Sequence, residues 1–170
     1  MAWLKRWWPT LVWGVAISGL STQGFSSAHT SRYIIPFLHW LLPSASHQTL
    51  ELLHHLIRKC AHFTEYFILS LLILRGIRAG EKGWHLRWAL VTVLIVFGYA
   101  GLDEFHQSFV PGRQAAFTDV LIDTSGGVAA QLIASLVVLL GGVRRNRREA
   151  EAATLQAELA GQTKSWPLKG

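Results

Sequence analysis

Four apolar runs alternate with polar stretches along the chain, at roughly residues 7–20, 61–74, 88–102 and 120–143. A helix needs about 20 residues to cross the hydrocarbon core of a bilayer. The second and third runs are shorter, so helices built on them must take in the polar positions at their ends. Those ends read HHLIRKCAHFTEY and LDEFHQ. The pattern predicts an all-α, polytopic membrane protein: four transmembrane helices over 1–143, then a tail over 144–170. The tail opens with arginines and continues EAEAATLQAELAG, with Arg147 and Glu151 four residues apart. That spacing predicts a solvated cytoplasmic helix that frays after Gly161. No window repeats and none is of low complexity.

Composition supports the membrane class. Hydrophobic residues make up 51% of the 170 and charged residues only 15%, a balance unlike that of a soluble domain. The net charge of +6 would suggest nucleic acid in a soluble chain. Here the basic residues lie between apolar runs, the signature of membrane topology, so no nucleic-acid partner is expected. Lys5 and Arg6 precede the first run, Arg75, Arg78, Lys82 and Arg87 separate the second and third, and Arg144, Arg145, Arg147 and Arg148 follow the fourth. Basic residues near span ends favour the cytoplasm. Both termini are therefore expected in the cytoplasm, in a bacterial cytoplasmic membrane, with loops 22–57 and 103–119 on the outer side. Lys5 and Arg6 before an apolar stretch, with Ser27 and Ala28 after it, also fit a signal peptide. Three further runs favour a retained first helix.

The single cysteine, Cys60, excludes an intrachain disulfide and is expected to be a buried, inert thiol. Residues 33–43, YIIPFLHWLLP, can lie along the outer interface as a roof or form a loop packed on the helices. His29, His39, His47, His54 and His85 are expected at the interface or surface. Gly126, Gly127, Ala129 and Ala130 allow close helix packing in the fourth span.

Candidate chemistry lies at the ends of the runs. Arg58, His62 and Glu65 fall at i, i+4 and i+7 on one helical face, with His55 extending it backwards. Asp103 and Gln107 are one turn apart beside Glu104, and so are Asp119 and Asp123. Charge inside a membrane is costly, and each of these residues taken alone is explained as an interfacial anchor or cap. Thr118 and Asp119 resemble a helix N-cap, and Pro111-Gly112-Arg113 a turn. As a set they place both signs of charge at one outer level, which predicts a shared polar pocket at the outer face.

These residues resemble the VanZ-like family of small polytopic membrane proteins. The matching segments are Arg58-Lys59 with His62, Glu65 and Tyr66, Asp103-Glu104 with Gln107, Phe109 and Pro111-Gly112-Arg113, and Asp119 with Asp123 and Gly126. His106 and Asp123 depart from the pattern, where no fixed residue and an asparagine are expected. The resemblance implies a cell-envelope role linked to low-level resistance to the glycopeptide teicoplanin, and no settled reaction.

The residues permit two functional classes. In the first, Arg58, Lys59 and Arg113 clamp an anionic head group of a membrane lipid or lipid-linked cell-wall precursor. Glu65, Asp103, Glu104 and His62 then act as general acid and base, since close carboxylates do not ionise together. Tyr66, Gln107, Asp119 and Asp123 complete the ligand site. In the second class the same residues bind without catalysis. Transport is disfavoured, because the inner halves of the runs offer no polar steps. His62, Glu65, Asp103, Glu104 and His106 carry metal-ligand atoms, but no HExxH or CxxC spacing exists. No resident metal is expected, and Mg²⁺ enters only as an ion bridging a carboxylate and a lipid phosphate. The oligomeric state is left open.

Overall fold

The computed structural model describes residues 2–21, 27–109 and 116–164. They form five helices: α1 (Ala2–Leu20), α2 (Ser27–Leu41), α3 (His47–Arg78), α4 (Leu86–Gln107) and α5 (Phe117–Lys164), with no strand among the described residues. Arg113 and the expected Pro111–Gly112 turn lie outside the described residues.

Three helices are long and apolar enough to cross a membrane: α3, α4 and residues 117–153 of α5. The expected first span is α1. It has 19 residues but carries Lys5, Arg6 and Pro9 among its tryptophans, and it falls short of that standard. Large apolar side chains stay exposed along the three longer helices, among them Leu90, Leu94, Leu132, Leu136 and Leu139. A soluble monomer would not expose so much apolar surface, and lipid is its natural solvent. The protein is a multi-pass membrane protein.

Two expectations are corrected in length and place. Residues 22–57 are not a loop, because α2 lies within them and α3 starts at His47. Ser46 caps α3, its Oγ accepting the Thr49 N–H at 3.2 Å. At about 1.5 Å per residue, 32 residues reach about 48 Å, well beyond a hydrocarbon core of about 30 Å. The first turns of α3 therefore project past the span. The fourth run does not end in a separate tail helix. Gly141 and Gly142 lie inside α5, which continues to Lys164, past the expected fraying point. The expected Arg147–Glu151 pair forms at 2.8 Å.

The chain divides into two compact units, residues 1–132 and 133–170. Within the first, the core is Ile17 of α1, Tyr66, Leu69 and Ile73 of α3, Val96 and Ala100 of α4, and Val120 of α5. Polar bonds fix the helices to one another. Trp13 Nε1 donates to the Glu65 carbonyl at 2.9 Å, and Tyr99 Oη donates to the Gly14 carbonyl at 2.7 Å. Ser70 Oγ donates to the Gly127 carbonyl at 2.9 Å and accepts from Gln131 Nε2 at 2.8 Å. A Cβ on Gly126 would lie 2.2 Å from the Phe63 carbonyl oxygen, so α3 and α5 touch backbone to backbone there. Each such bond is satisfied inside the bundle, as a lipid-facing fold requires. The basic ends also meet, since Arg75 Nη1 donates to the Arg6 carbonyl at 3.0 Å.

Candidate functional site

The C-terminal ends of α1 and α4, the N-terminal end of α5 and the first half of α3 carry the polar residues that the sequence singled out. On the α4 side, Asp103 is buried and one of its oxygens accepts two bonds. Ser21 Oγ donates to Oδ2 at 2.8 Å, and Gln107 Nε2 donates to it at 2.7 Å. Gln107 also donates to Ser21 Oγ at 3.3 Å. The one-turn spacing of Asp103 and Gln107 thus becomes a bond that fixes the carboxylate. Glu104 is buried as well, and its Oε1 accepts the backbone N–H of Ala116, at the entry to α5.

On the other side, Lys59 pairs with Asp119. His62 Nδ1 lies 3.7 Å from Asp123 Oδ1 and 4.0 Å from Glu65 Oε2. Asp123 is only 3% exposed. Asp103, Asp119, Glu65 and Glu104 all act on it electrostatically, so carboxylates of all three sequence segments lie within electrostatic reach of one residue. Tyr66 follows Glu65 on α3. It is fully buried, packs its ring 6.2 Å from that of Tyr99, and feels the charges of Asp103, Asp123 and Glu65.

Asp119 is not an N-cap. The helix begins at Phe117, two residues earlier, and Asp119 N–H donates to the Ala116 carbonyl at 2.8 Å. As an acidic residue in the first turn it still complements the helix dipole. Arg58 is half-buried on α3, and His55 and His106 are exposed, outside the cluster. Among the described residues no three His, Cys, Asp or Glu side chains are grouped to hold a metal ion.

Two side chains differ from expectation. Cys60 is exposed, because it lies half a turn round α3 from Leu69 of the core. His54 is buried, and its Nε2 shares a hydrogen bond with Thr30 Oγ1 of α2 at 3.1 Å. His39, His47 and His85 are exposed, as expected. Sequence reasoning did not assign site roles to Ser21, Tyr99 or Trp13. Ser21 is signalled only as a polar residue just past an apolar run. Nothing in the spacing of Tyr99 and Trp13 separates them from ordinary core aromatics.

Helices with apolar outer surfaces and a buried acidic cluster define a polytopic helical membrane protein. The chain belongs to the VanZ/LLP1 family, whose model matches residues 6–139. No curated protein and no solved structure matches it.

Proposed function

We propose that the polar cluster recognises the head group of a membrane amphiphile, a lipid or lipid-linked cell-wall precursor, whose tail stays in the bilayer. One observation carries this reading. Residues from three separate sequence segments gather around Asp123 inside a bundle whose outer surface is apolar. Burying charge in such a place is costly and is a default mark of function. In the topology proposed here, α1 is the first of four spans and both termini are cytoplasmic. The cluster then opens to the outer leaflet of a bacterial cytoplasmic membrane. Arg58 and Arg113 are the residues suited to a phosphate, which the planar guanidinium matches bidentately. Lys59 joins them only if its pair with Asp119 opens.

If a bond is broken, Glu65 and His62, 4.0 Å apart, are the acid–base pair. Glu104 and Asp103 have structural partners, Ala116 N–H for the first and Ser21 with Gln107 for the second. That engagement favours the second reading, binding without turnover, in keeping with the envelope and teicoplanin theme that the family resemblance implies.

The test uses purified protein in nanodiscs made from total bacterial lipid extract, followed by mass spectrometry over time. A lipid consumed by the wild type and spared by Glu65→Gln identifies an enzyme and its substrate class. A lipid retained by the wild type and released by Arg58→Ala, without consumption, identifies a binder. If neither occurs, the head-group reading is wrong.

A further inference from the structure

The ends of α1 and α3 away from the polar cluster are basic, and they touch. Arg75 Nη1 donates to the Arg6 carbonyl at 3.0 Å. The Trp7 ring packs on α3 beside that bond. A Cβ on Gly76 would lie 2.7 Å from Trp7 Cζ3, so the ring fits because the residue after Arg75 is glycine. The Arg6 guanidinium lies over the same ring, 5.6 Å from its centroid. Both guanidinium groups are thereby held at one place, one by a hydrogen bond to the Arg6–Trp7 peptide, the other by the Trp7 indole.

Neither has a carboxylate partner among the described residues. Glu81 is the one acidic residue between Tyr66 and Asp103, none precedes Glu51, and no ion pair among the described residues includes Arg6, Arg75 or Glu81. Arg78 differs, since its Nε and Nη2 donate to the Glu81 carbonyl at 3.2 and 3.1 Å and close the end of α3. Arg6 Nε is buried with no hydrogen-bond partner among the described residues. Membrane topology asks only for basic residues near span ends. It does not ask that two of them be drawn together without a counter-ion, where like charges repel. Planar guanidinium groups match phosphate oxygens bidentately, so a phosphate would take their open donors and offset the repulsion together.

The surface next to the pair is apolar. Leu71, one turn before Arg75 on the same face of α3, is exposed, and so are Leu4, Trp8 and Leu11 along one face of α1. Exposed indoles suit the membrane–water boundary. Charge at that boundary with apolar surface below it matches a phospholipid better than a free anion. We propose that Arg6 and Arg75 form a site for the phosphate of an anionic phospholipid, in the cytoplasmic leaflet of the topology proposed above. A zwitterionic lipid brings its own ammonium and leaves the two positive charges unbalanced. Ten residues, about 15 Å of helix, separate Arg75 from Glu65, so this site is distinct from the polar cluster and independent of the head-group reading.

The experiment measures lipid retention by native mass spectrometry, on the full chain released from nanodiscs with equal amounts of phosphatidylglycerol and phosphatidylethanolamine. The expected result is a preference for phosphatidylglycerol of about 30-fold, each of the two side chains contributing about fivefold. Arg6→Gln and Arg75→Gln should each lower it about fivefold, and the double variant should bring it close to equality. Arg6→Gln keeps the backbone carbonyl that Arg75 uses, so the lipid-free protein should unfold at an unchanged temperature, and loss of preference cannot then be ascribed to misfolding. Lys82→Gln removes the same charge from an exposed position in the α3–α4 turn and should leave the preference nearly unchanged. Inorganic phosphate added at constant ionic strength separates two sources of binding. Displacement of the lipid shows that the phosphate alone is held; resistance shows that the tails contribute. Both support the site. Equal retention of the two lipids by the wild type overturns it. So does a preference that Arg6→Gln and Arg75→Gln leave intact, or one that Lys82→Gln lowers as much as they do, because diffuse charge then suffices.

Discussion

Ser21 and Gln107 both donate to Asp103 Oδ2. Asp103→Ala would strand the buried Ser21 hydroxyl and leave Gln107 only its 3.3 Å bond to Ser21 Oγ, at about 1–3 kcal/mol for the group left without a partner. Asp103→Asn keeps a carbonyl oxygen in the same place and removes the charge. Thermal unfolding in detergent should therefore show a clear loss of stability for Asp103→Ala and a much smaller change for Asp103→Asn. Equal losses would mean that the negative charge, and not the acceptor, is what the two donors require. At this scale the sequence is informative about residue type and less so about partners. The one-turn spacing of Asp103 and Gln107 anticipates their bond, because helix geometry alone brings them together. The bond to Ser21, 82 positions away, depends on where α1 ends against α4, which no local pattern encodes. The same holds for the Thr30–His54 bond. His54 reads as a surface residue until α2 is seen to lie against α3.

Between elements, α3 and α5 approach each other closely at Gly126. Gly126→Ala puts a methyl group 2.2 Å from a backbone oxygen that cannot turn aside, so the helices have to separate. Overpacking of this kind costs about 1–3 kcal/mol. Gly98 of α4 provides the control, since nothing lies within 4 Å of a Cβ there, and Gly98→Ala should be neutral or should gain up to about 1 kcal/mol from helix propensity. Comparing the unfolding temperatures of the two variants checks this, and a Gly126→Ala protein as stable as Gly98→Ala would show that the two backbones are not in contact. The cores of α3, α4 and α5 are legible from hydropathy, because a long run with so few charges leaves few alternatives. The small residues at 126–130 also announce close packing. The ends are not legible. In the first turns of α3, Glu51, His54, His55 and Arg58 break up the leucines so that no continuous apolar run marks them, yet the helix runs straight through them from its Ser46 cap. The aromatic segment with two prolines left helix and loop undecided; α2 is a helix that places Leu38 toward α3 and leaves Tyr33, Phe37 and Trp40 exposed.

For the whole molecule, the proposed orientation follows from the distribution of arginine and lysine, and the proposed function depends on it. The basic ends of α1 and α3 meet through the bond from Arg75 to the Arg6 carbonyl. The acidic cluster lies toward the other ends of the same helices. Positive charge near span ends favours the cytoplasm. The account therefore requires the cluster to face outward, where an amphiphile of the outer leaflet can reach it. The most direct test replaces the only cysteine by Cys60→Ser and then introduces Thr118→Cys beside the cluster or Glu81→Cys in the α3–α4 turn; positions 118 and 81 are both exposed. Intact cells are treated with a membrane-impermeant maleimide before and after permeabilisation. The account predicts labelling at position 118 in intact cells and at position 81 only after permeabilisation. Labelling at 81 in intact cells, with 118 protected until the membrane is opened, would turn the cluster toward the cytoplasm and contradict the account.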